Sequence, residues 1–314
     1  MIIRFWGVRG SIPAPITAKE IQSKISAAIS RITPEDCKDE DSKERFLSQL
    51  PEWIFGTVGG NSACVELTDE NGNEYIFDCG SGIRAFSKSL KAKKTEQFNL
   101  FMSHFHWDHI QGIPFWDQTY NPSVKIHVYS PWENAEEIFS QQSREPYFPK
   151  NGCWENIKDR FVFHIVKEGE PFELNGFSIK CLKMKHPGDS YAYCLEKDGK
   201  KFIYATDVEL QENNFEKTAV NLDFFQNADM LIIDSQYTVA EALEKVNWGH
   251  NAFSYAVDFA GNFGIKNMYL FHHEPLYDDK KLYSILESAR WYASHTIHSD
   301  VNVNLAVEGE EVEL

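Results

Sequence analysis

The sequence predicts a core of many β-strands with helices outside it, which is an α/β or α+β fold. Short runs rich in apolar, β-branched and aromatic residues recur in both halves of the chain, as is typical of strands. Segments with helical periodicity separate several of these runs. The chain has 314 residues and 42% hydrophobic content, which is enough for one large core. We find no internal repeat, low-complexity tract or linker, so a single domain over residues 1–314 is expected.

The predicted elements follow one another along the whole chain. Strands are predicted at residues 2–6, 63–67, 74–77, 98–102, 124–129, 177–182, 191–195, 201–205, 230–233, 268–271 and 301–307. Helices are predicted at residues 18–32, 43–50, 83–90, 252–262 and 281–292. In the last helix, an apolar face is formed by Leu282, Ile285, Leu286 and Ala289. Such a face indicates a helix that packs on the strand core from outside.

Two segments, residues 14–56 and 131–160, interrupt the strand pattern. The first is charged and helix-forming, with CKDEDSKERF at its centre, and the second is irregular and rich in aromatic residues. We interpret both as insertions over the strand scaffold. Loops of this length often serve as lids or as dimer surfaces, so a homodimer is one interpretation, and solvated decoration without a role is an equal alternative.

The charge balance argues against long polyanionic partners. Lys and Arg number 31 against 47 Asp and Glu, a formal net charge of −16. A nucleic-acid groove needs clustered basic side chains to neutralise phosphates. The densest basic run, residues 88–94, is explained more simply as a solvated helix end or loop. Small anions remain candidate substrates, because a metal ion or a few local donors can overcome the long-range field.

The sequence predicts a cytoplasmic protein without a membrane segment. No apolar stretch approaches the roughly 18 to 20 residues that a membrane span needs. The N-terminus, MIIRFWGVRGSIP, lacks the pattern of a secretory signal. The six cysteines are scattered without a Cys-x-x-Cys pair, which favours reduced thiols over a disulfide framework. We therefore expect no zinc bound through cysteine.

The stretch FMSHFHWDH at residues 101–109 carries the strongest chemical signal. It places His104, His106, Asp108 and His109 within six residues, directly after an apolar strand. Imidazole and carboxylate groups are the ligands of a borderline divalent ion such as zinc. A loop at a strand end can direct consecutive side chains onto two adjacent ions, so a metal site is expected here rather than a surface turn that happens to be rich in histidine.

Three further segments place a candidate ligand just past an apolar strand. They contain His186, Asp207 and the pair His272-His273. Each alone could be a hydrogen-bonded surface histidine or a helix-capping aspartate, but their shared placement favours ligands. Adjacent residues leaving a strand point to opposite sides, so only one histidine of the pair can face a metal. We choose His272, which follows the apolar run directly.

Together these motifs resemble the metallo-β-lactamase fold hydrolases, whose five motifs occur in order over nearly the whole chain. They are FDCGSG at residues 77–82, His104-x-His106-x-Asp108-His109, His186, Asp207 and His272. The opening GVRGSIP at residues 7–13, with GGNS at 59–62, is similar to a branch that includes phosphodiesterases and, more distantly, ribonuclease Z. The resemblance implies an α+β four-layer αββα sandwich of two similar halves, with the metal site at one edge of the sheets.

The resemblance also implies roles for individual residues at a site for two divalent metal ions. The first ion would be held by His104, His106 and His186, the second by Asp108, His109 and His272, and Asp207 would bridge them. Zinc is the expected metal, with manganese or iron as alternatives. Asp78 would support the histidine loop through hydrogen bonds behind the metal ligands, since such bonds fix the tautomer and direction of bound imidazoles.

His250 is predicted to act in catalysis. It precedes the predicted helix 252–262, as in the Gly-His segment of ribonuclease Z and its phosphodiesterase relatives, where that histidine assists phosphoryl chemistry. Without the resemblance, His250 would be a flank of a helix N-terminus. Weaker candidates for substrate contact are Arg9, Arg84, Tyr237 and Trp107. For the two arginines, salt bridges or packing are the simpler explanation.

These expectations favour a phosphodiesterase acting on a small phosphodiester such as a cyclic nucleotide, through a metal-bridging hydroxide, with Asp108 and His250 in catalysis. A ribonuclease Z-like endoribonuclease is the nearest alternative, followed by a lactone or thioester hydrolase. A non-enzymatic alternative is a metal- or nucleotide-binding module with a silent site. Oxygen reduction by a di-iron centre is disfavoured, because His106 stands where those relatives usually carry a carboxylate and only about forty residues follow His272, too few for a flavin domain.

Overall fold

The computed structural model describes residues 1–90 and 95–314, and it contains two seven-stranded β-sheets that share one apolar interlayer with helices outside them. Residues 91–94, which end the basic run noted above, lie outside the described residues. The arrangement is that of an αββα sandwich, which confirms the predicted fold class.

The strands and helices have the following bounds. The strands are β1 (Ile2–Gly7), β2 (Cys64–Thr68), β3 (Glu74–Phe77), β4 (Gln97–Phe101), β5 (Lys125–Ser130), β6 (Phe161–Ile165), β7 (Phe172–Leu174), β8 (Phe177–Met184), β9 (Ser190–Lys197), β10 (Lys200–Ala205), β11 (Met230–Asp234), β12 (Asn267–Phe271), β13 (Asn302–Leu305) and β14 (Glu311–Glu313). The α-helices are α1 (Ala18–Ile29), α2 (Glu40–Gln49), α3 (Glu52–Phe55), α4 (Ile83–Ser89), α5 (Trp107–Ile110), α6 (Ala135–Gln142), α7 (Trp154–Ile157), α8 (Ala219–Phe225), α9 (Val239–Glu244), α10 (Phe253–Asn262) and α11 (Asp279–His295). Short 3-10 turns occur at Pro34–Cys37, Ile113–Phe115, Asp117–Tyr120, Lys150–Gly152, Lys158–Arg160 and Glu212–Phe215.

The two sheets have the same internal pattern. The first has the order β14-β1-β2-β3-β4-β5-β6 and the second β13-β12-β11-β10-β9-β8-β7. Each sheet has three consecutive antiparallel pairings on one side of a central strand and three parallel ones on the other side, and that central strand is β3 in the first sheet and β10 in the second. The chain is thus built from two similar halves, and the C-terminal β14 crosses over to pair with β1 of the first sheet.

Successive side chains along a strand point alternately into the core between the two sheets and toward the outer face of the sheet. On β3, Tyr75 and Phe77 point between the sheets, whereas Ile76 joins the outer cluster. The Phe77 ring lies 5.3 Å from the ring of Phe202 and 5.2 Å from that of Tyr204, between centroids. This period of two is what a strand buried on both faces requires. Helix α4 covers the outer face of the first sheet, and α10 and α11 pack on the second.

The candidate site lies where strands of both sheets end. Strands β1, β3 and β4 run in one direction in the first sheet, and β8, β10, β11 and β12 do so in the second. Asp78 follows β3, Asp207 lies two residues past β10, and His272 follows β12. All three adopt left-handed backbone conformations, with φ of 59°, 51° and 60°. Non-glycine residues adopt this conformation where the surrounding structure holds them, commonly at functional sites.

Three strands, β6, β7 and β14, were not predicted. Each lies at an edge of its sheet and is three to five residues long. Edge strands are short and half-exposed, so they carry little of the apolar alternation on which sequence prediction depends.

The two predicted insertions both contain helices. Helices α1 to α3 lie between β1 and β2, and α6 and α7 lie between β5 and β6. Their status as insertions, the lid or dimer role and the single-domain boundary stay predictions. Among the described residues, no helix is both long and apolar enough to cross a membrane.

Candidate metal centre

The histidine loop is fixed by Asp78 behind it. Asp78 is fully buried, and its carboxylate accepts hydrogen bonds from the Ser103 backbone N at 2.8 Å and from Ser103 Oγ at 2.6 Å. The same carboxylate lies 2.8 Å from His109 Nδ1 and accepts a bond of 2.8 Å from the Tyr204 hydroxyl. These bonds hold both ends of the segment that connects β4 to α5, and α5 starts directly after His106.

The structure brings the seven residues expected as metal ligands into two adjoining groups. One consists of His104, His106, His186 and Asp207, and the other of Asp108, His109, Asp207 and His272. Within each group the potential ligand atoms all lie within 4.8 Å of one another.

Asp207 is the residue that the two groups share. Its Oδ2 lies 3.5 Å from His104 Nε2 and 3.8 Å from His186 Nε2. Its Oδ1 lies 3.2 Å from both His109 Nε2 and His272 Nε2. One carboxylate oxygen of Asp207 thus faces each group.

The directions of the imidazoles fit divalent metal ions. Four of them engage a group behind the site through Nδ1 and point Nε2 inward. Nδ1 of His104 lies 3.0 Å from Ser103 Oγ, that of His186 lies 2.9 Å from the Gly249 carbonyl, and that of His272 lies 3.1 Å from Gln236 Oε1. The fourth is His109, held by Asp78. This pairing is the usual support of metal-bound histidine.

Two of the inward nitrogens have no hydrogen-bond partner. Nε2 of His104 and of His109 are buried and make no well-oriented hydrogen bond among the described residues, although Asp207 oxygens lie 3.5 Å and 3.2 Å away. Buried polar atoms are normally satisfied, and an exception calls for an explanation such as an ion. Together with a donor set of imidazole and carboxylate, these orphaned nitrogens indicate that the centre binds divalent metal.

The charges at the centre compensate one another. Burial opposes ionisation of Asp207, but His109, His272 and His104 hold its pKa well below the usual value. Burial likewise disfavours a charged His109, yet Asp207, Asp108 and Asp78 raise its pKa well above normal. His104 lacks this excess of carboxylates, and burial lowers its pKa. Carboxylates that favour a proton on the buried His109 also attract cations.

The N-terminal loop at Gly10 and Ser11 contacts the second ligand group, at Asp108 and His272. The backbone N of Ser11 donates to Asp108 Oδ2 at 2.8 Å, and His272 Nε2 lies 3.1 Å from the same oxygen. A Cβ on Gly10 would lie 2.4 Å from His272 Nδ1. Glycine at position 10 therefore lets the loop cross against the histidine ring, which gives a physical reason for the GVRG sequence.

The pair His272-His273 separates as two residues leaving a strand should. His272 faces Asp108 and Asp207, whereas His273 turns away and its Nε2 lies 2.9 Å from the Ala306 carbonyl. Burial lowers the pKa of His273 to about 3. It is a neutral residue of the core rather than part of the centre.

We expect His272→Ala to lower bound metal by about one ion per chain, while His273→Asn keeps the metal content of the original protein. The reason is that, of the two adjacent histidines, His272 directs a nitrogen at Asp108 and Asp207 and His273 does not. Elemental analysis of folded protein after reconstitution with zinc or manganese measures this. Metal lost from the His273 variant but retained in the His272 variant would reverse the assignment.

Asp78→Asn should weaken metal affinity by about 10- to 100-fold without removing a ligand. The amide keeps the size of the side chain but loses an acceptor that holds His109 and Ser103. Competition with a chelator measures the change. Tyr204→Phe is the matched control, because it removes one bond to Asp78 and leaves the His109 contact in place. Unchanged metal retention in the Asp78 variant would show that this carboxylate does not orient the loop.

His250 lies beside the centre and is held by a carboxylate. Its Nδ1 lies 2.6 Å from Asp234 Oδ2, and its ring stacks on that of His272 at 4.9 Å between centroids. Burial disfavours a charged imidazole here, but Asp234 outweighs it and raises the pKa of His250 to about 9. Asp234, His250 and His272 also form a third group with metal-ligand spacing.

The weaker candidates for substrate contact have different surroundings. Arg9 is buried and serves packing, because its guanidinium donates to the carbonyls of Gly59 at 2.8 Å and Tyr277 at 2.8 Å. Arg84 is exposed on α4. Tyr237 packs its ring 5.8 Å from that of His250, and Trp107 is exposed beside His106.

Sequence reasoning missed four side chains that support the centre: Ser103, Tyr204, Asp234 and Gln236. Asp234 ends a fully buried strand, and a carboxylate at that position was the one signal available. The other three are recognisable only through contacts with residues distant in the chain.

Residues 61–244 match the family described as Anti-Pycsar protein Apyc1. Ribonuclease Z of Treponema denticola is 23% identical over 291 residues, covering 78% of this chain and 92% of that protein. Among solved structures, the metallo-β-lactamase fold protein YhfI from Bacillus subtilis has a TM-score of 0.65 at 17% identity and covers 100% of this chain and 98% of that one. The short form of human tRNase Z has a TM-score of 0.60 at 17% identity, covering 100% and 99%.

The family match extends over more than half of the chain and includes all but one of the predicted ligands. The structural likeness covers the whole chain and agrees with the metallo-β-lactamase fold expected from the motifs. The sequence similarity to ribonuclease Z agrees with the expected branch. The protein is thus a metal-dependent hydrolase with the metallo-β-lactamase fold, and it belongs to the Anti-Pycsar protein Apyc1 family.

Proposed function

We propose that the protein hydrolyses a small phosphodiester, a cyclic nucleotide in the first place, at a centre holding two divalent ions, with zinc as the expected metal. The observation that carries the proposal is the position of His250, which stacks on His272 at the edge of the centre and is held by Asp234. A metal centre alone would suit many hydrolytic reactions. A histidine supported in this way beside it suits one with a strongly basic leaving oxygen.

The ligand sets follow the two groups found at the sheet edge. His104, His106 and His186 would hold one ion, Asp108, His109 and His272 the other, with Asp207 between them. Two adjacent divalent ions supply Lewis acids for the phosphoryl oxygens and a water-derived nucleophile at neutral pH. The chain itself aims the ligands, through Asp78, Gln236, the Gly249 carbonyl and the backbone N of Ser11.

His250 is the proposed proton donor to the departing oxygen. Asp234 occupies Nδ1, which leaves Nε2 free for the substrate, and it favours the protonated ring, with a pKa raised to about 9. An alkoxide leaving from ribose is a poor leaving group unless it receives a proton. General acid catalysis of this kind contributes about 10²- to 10⁴-fold to a rate.

The charge of the chain favours a small substrate. The net charge of −16 opposes the approach of a long polyanion, and the sequence has no obvious arm rich in lysine and glycine to hold an RNA. A cyclic mononucleotide carries a single negative charge, which the metal ions can offset locally.

Cleavage of RNA is the second candidate, because ribonuclease Z of Treponema denticola is similar over 92% of its own length. Both candidate reactions hydrolyse a phosphodiester bond at the same metal centre. They differ in the molecule that carries this bond, a cyclic nucleotide or an RNA. Lactone hydrolysis is a further alternative, in which the Asp234–His250 pair would have no leaving group to protonate.

The test is turnover by the metal-loaded protein of a panel of 3′,5′-cyclic nucleotides, a precursor tRNA and a lactone. The proposal expects the cyclic nucleotides to be opened fastest. Efficient cleavage of the precursor tRNA with inert cyclic nucleotides would favour the ribonuclease alternative, and rapid lactone hydrolysis alone would reject phosphodiester chemistry.

A further inference from the structure

Beside the histidine loop lies a cavity of about 360 Å³ that the proposed chemistry does not use. We propose that this cavity, here called the loop cavity, binds the base of a nucleotide substrate and sets the preference among bases. The inference rests on the proposed function, since it assigns the part of the substrate that projects from the metal centre.

The loop cavity adjoins the metal centre through the histidine loop itself. Phe105 and Trp107, which line it, are the chain neighbours of His106, and Ile110 follows His109. His106 is the exposed member of its ligand group. A nucleotide whose phosphate lies at His106 therefore has its base within reach of Trp107.

Aromatic side chains form two sides of the loop cavity. The side chain of Trp107, between His106 and Asp108, is 70% exposed, and that of Tyr147 in the 131–160 segment is 69% exposed. A contiguous patch of exposed apolar surface commonly marks a binding site. Stacking on such rings is the general way in which proteins hold an unpaired base, because every base presents a flat π face.

Polar groups along the rim can read the edge of a base. Arg144 lies over the Tyr147 ring, with its guanidinium carbon 5.9 Å from the ring centroid, and it offers donors to base carbonyl oxygens. Gln141 is exposed on the same segment. A mainly apolar cavity of a few hundred Å³ with a few placed polar groups has the character of a small-molecule site.

Gln142 connects the wall of the loop cavity to the histidine loop. Its Nε2 donates to the Ile110 carbonyl at 2.7 Å, which ties α6 to the histidine loop. Its Oε1 is buried and has no hydrogen-bond partner in the part of the chain that the structure describes. Through the bond from its Nε2, Gln142 fixes the position of this wall relative to the histidine loop.

The test compares Trp107→Ala with Trp291→Ala, an equally accessible tryptophan at 60% exposure on α11. Substrates are cyclic AMP, cyclic UMP and trimethylene phosphate, a six-membered cyclic phosphodiester without a base. We expect Trp107→Ala to raise KM for both cyclic nucleotides by about 10-fold or more, with kcat and base-free turnover far less affected. Trp107→Phe should keep KM close to that of the original protein, and Trp291→Ala should leave both KM and kcat unchanged.

Arg144→Ala tests the reading of the base edge. Uracil has two carbonyl oxygens and adenine has none. The variant should therefore raise KM more for cyclic UMP than for cyclic AMP. Equal KM values for Trp107→Ala and the original protein, with turnover of cyclic nucleotides intact, would overturn the loop-cavity inference and leave the proposed function standing.

Binding is measured separately from turnover, by quenching of tryptophan fluorescence with a nucleoside 5′-monophosphate. Quenching that disappears in Trp107→Ala supports the base site even if no cyclic nucleotide is hydrolysed, in which case only the proposed function fails. Quenching that is absent, or identical in the two proteins, overturns the inference.

Discussion

Asp207→Asn should remove both metal ions and lower turnover of any phosphodiester by at least about 10³-fold, which is the upper range for loss of a single preorganised polar group. The reason is that Asp207 alone belongs to both ligand groups, with one oxygen 3.5 Å from His104 and the other 3.2 Å from His109 and His272. Asparagine is nearly the same size and tolerates the left-handed backbone at this position, so the fold should be kept.

The measurement is elemental analysis together with the circular dichroism spectrum and turnover of the same preparations. Asp229→Asn is the matched control. Asp229 is also a buried aspartate, but it lies at the opposite end of the second sheet, just before β11, where it accepts a bond from the Lys201 backbone N. Full metal content in Asp207→Asn, or equal metal loss in the control, would contradict the bridging role.

His250→Ala should lower turnover of a cyclic nucleotide by about 10²-fold or more while metal content stays unchanged. His250 does not join the two main ligand groups, and its Nδ1 is occupied by Asp234. The loss should depend on the leaving group. An activated p-nitrophenolate departs without a proton, whereas a ribose alkoxide does not. Turnover of bis-p-nitrophenyl phosphate should therefore fall less than turnover of the cyclic nucleotide.

Two variants make this result specific. Asp234→Asn keeps a hydrogen bond to Nδ1 but removes the charge that favours the imidazolium, so it should reproduce the leaving-group dependence with a smaller loss. His295→Ala replaces an exposed histidine at the end of α11 and should have no effect. Equal losses of His250→Ala on both substrates would indicate a role in binding or structure instead.

Much of the fold and the site could be predicted because the signals are local. The long apolar strands carry their own alternation, and His104, His106, Asp108 and His109 lie within six residues of one another. The separation of His272 from His273 also follows from local geometry, since successive residues of a strand point to opposite sides.

The remainder depends on contacts between distant parts of the chain. The bond from Ser11 N to Asp108 joins residues 97 apart, and the bond from Tyr204 to Asp78 joins residues 126 apart. Nothing near Asp234 in the sequence shows that it faces His250 across a loop. The loop cavity likewise forms only when the 131–160 segment packs against the histidine loop, as through Gln142 and the Ile110 carbonyl.

The most direct test of the central claim is ³¹P NMR of a 3′,5′-cyclic nucleotide incubated with the metal-loaded protein. We expect that the cyclic phosphodiester signal is replaced by that of a nucleoside monophosphate, that a chelator stops the conversion, and that zinc or manganese restores it. A cyclic nucleotide that stays intact beside fully loaded protein, or a conversion that continues in metal-free protein, would contradict it.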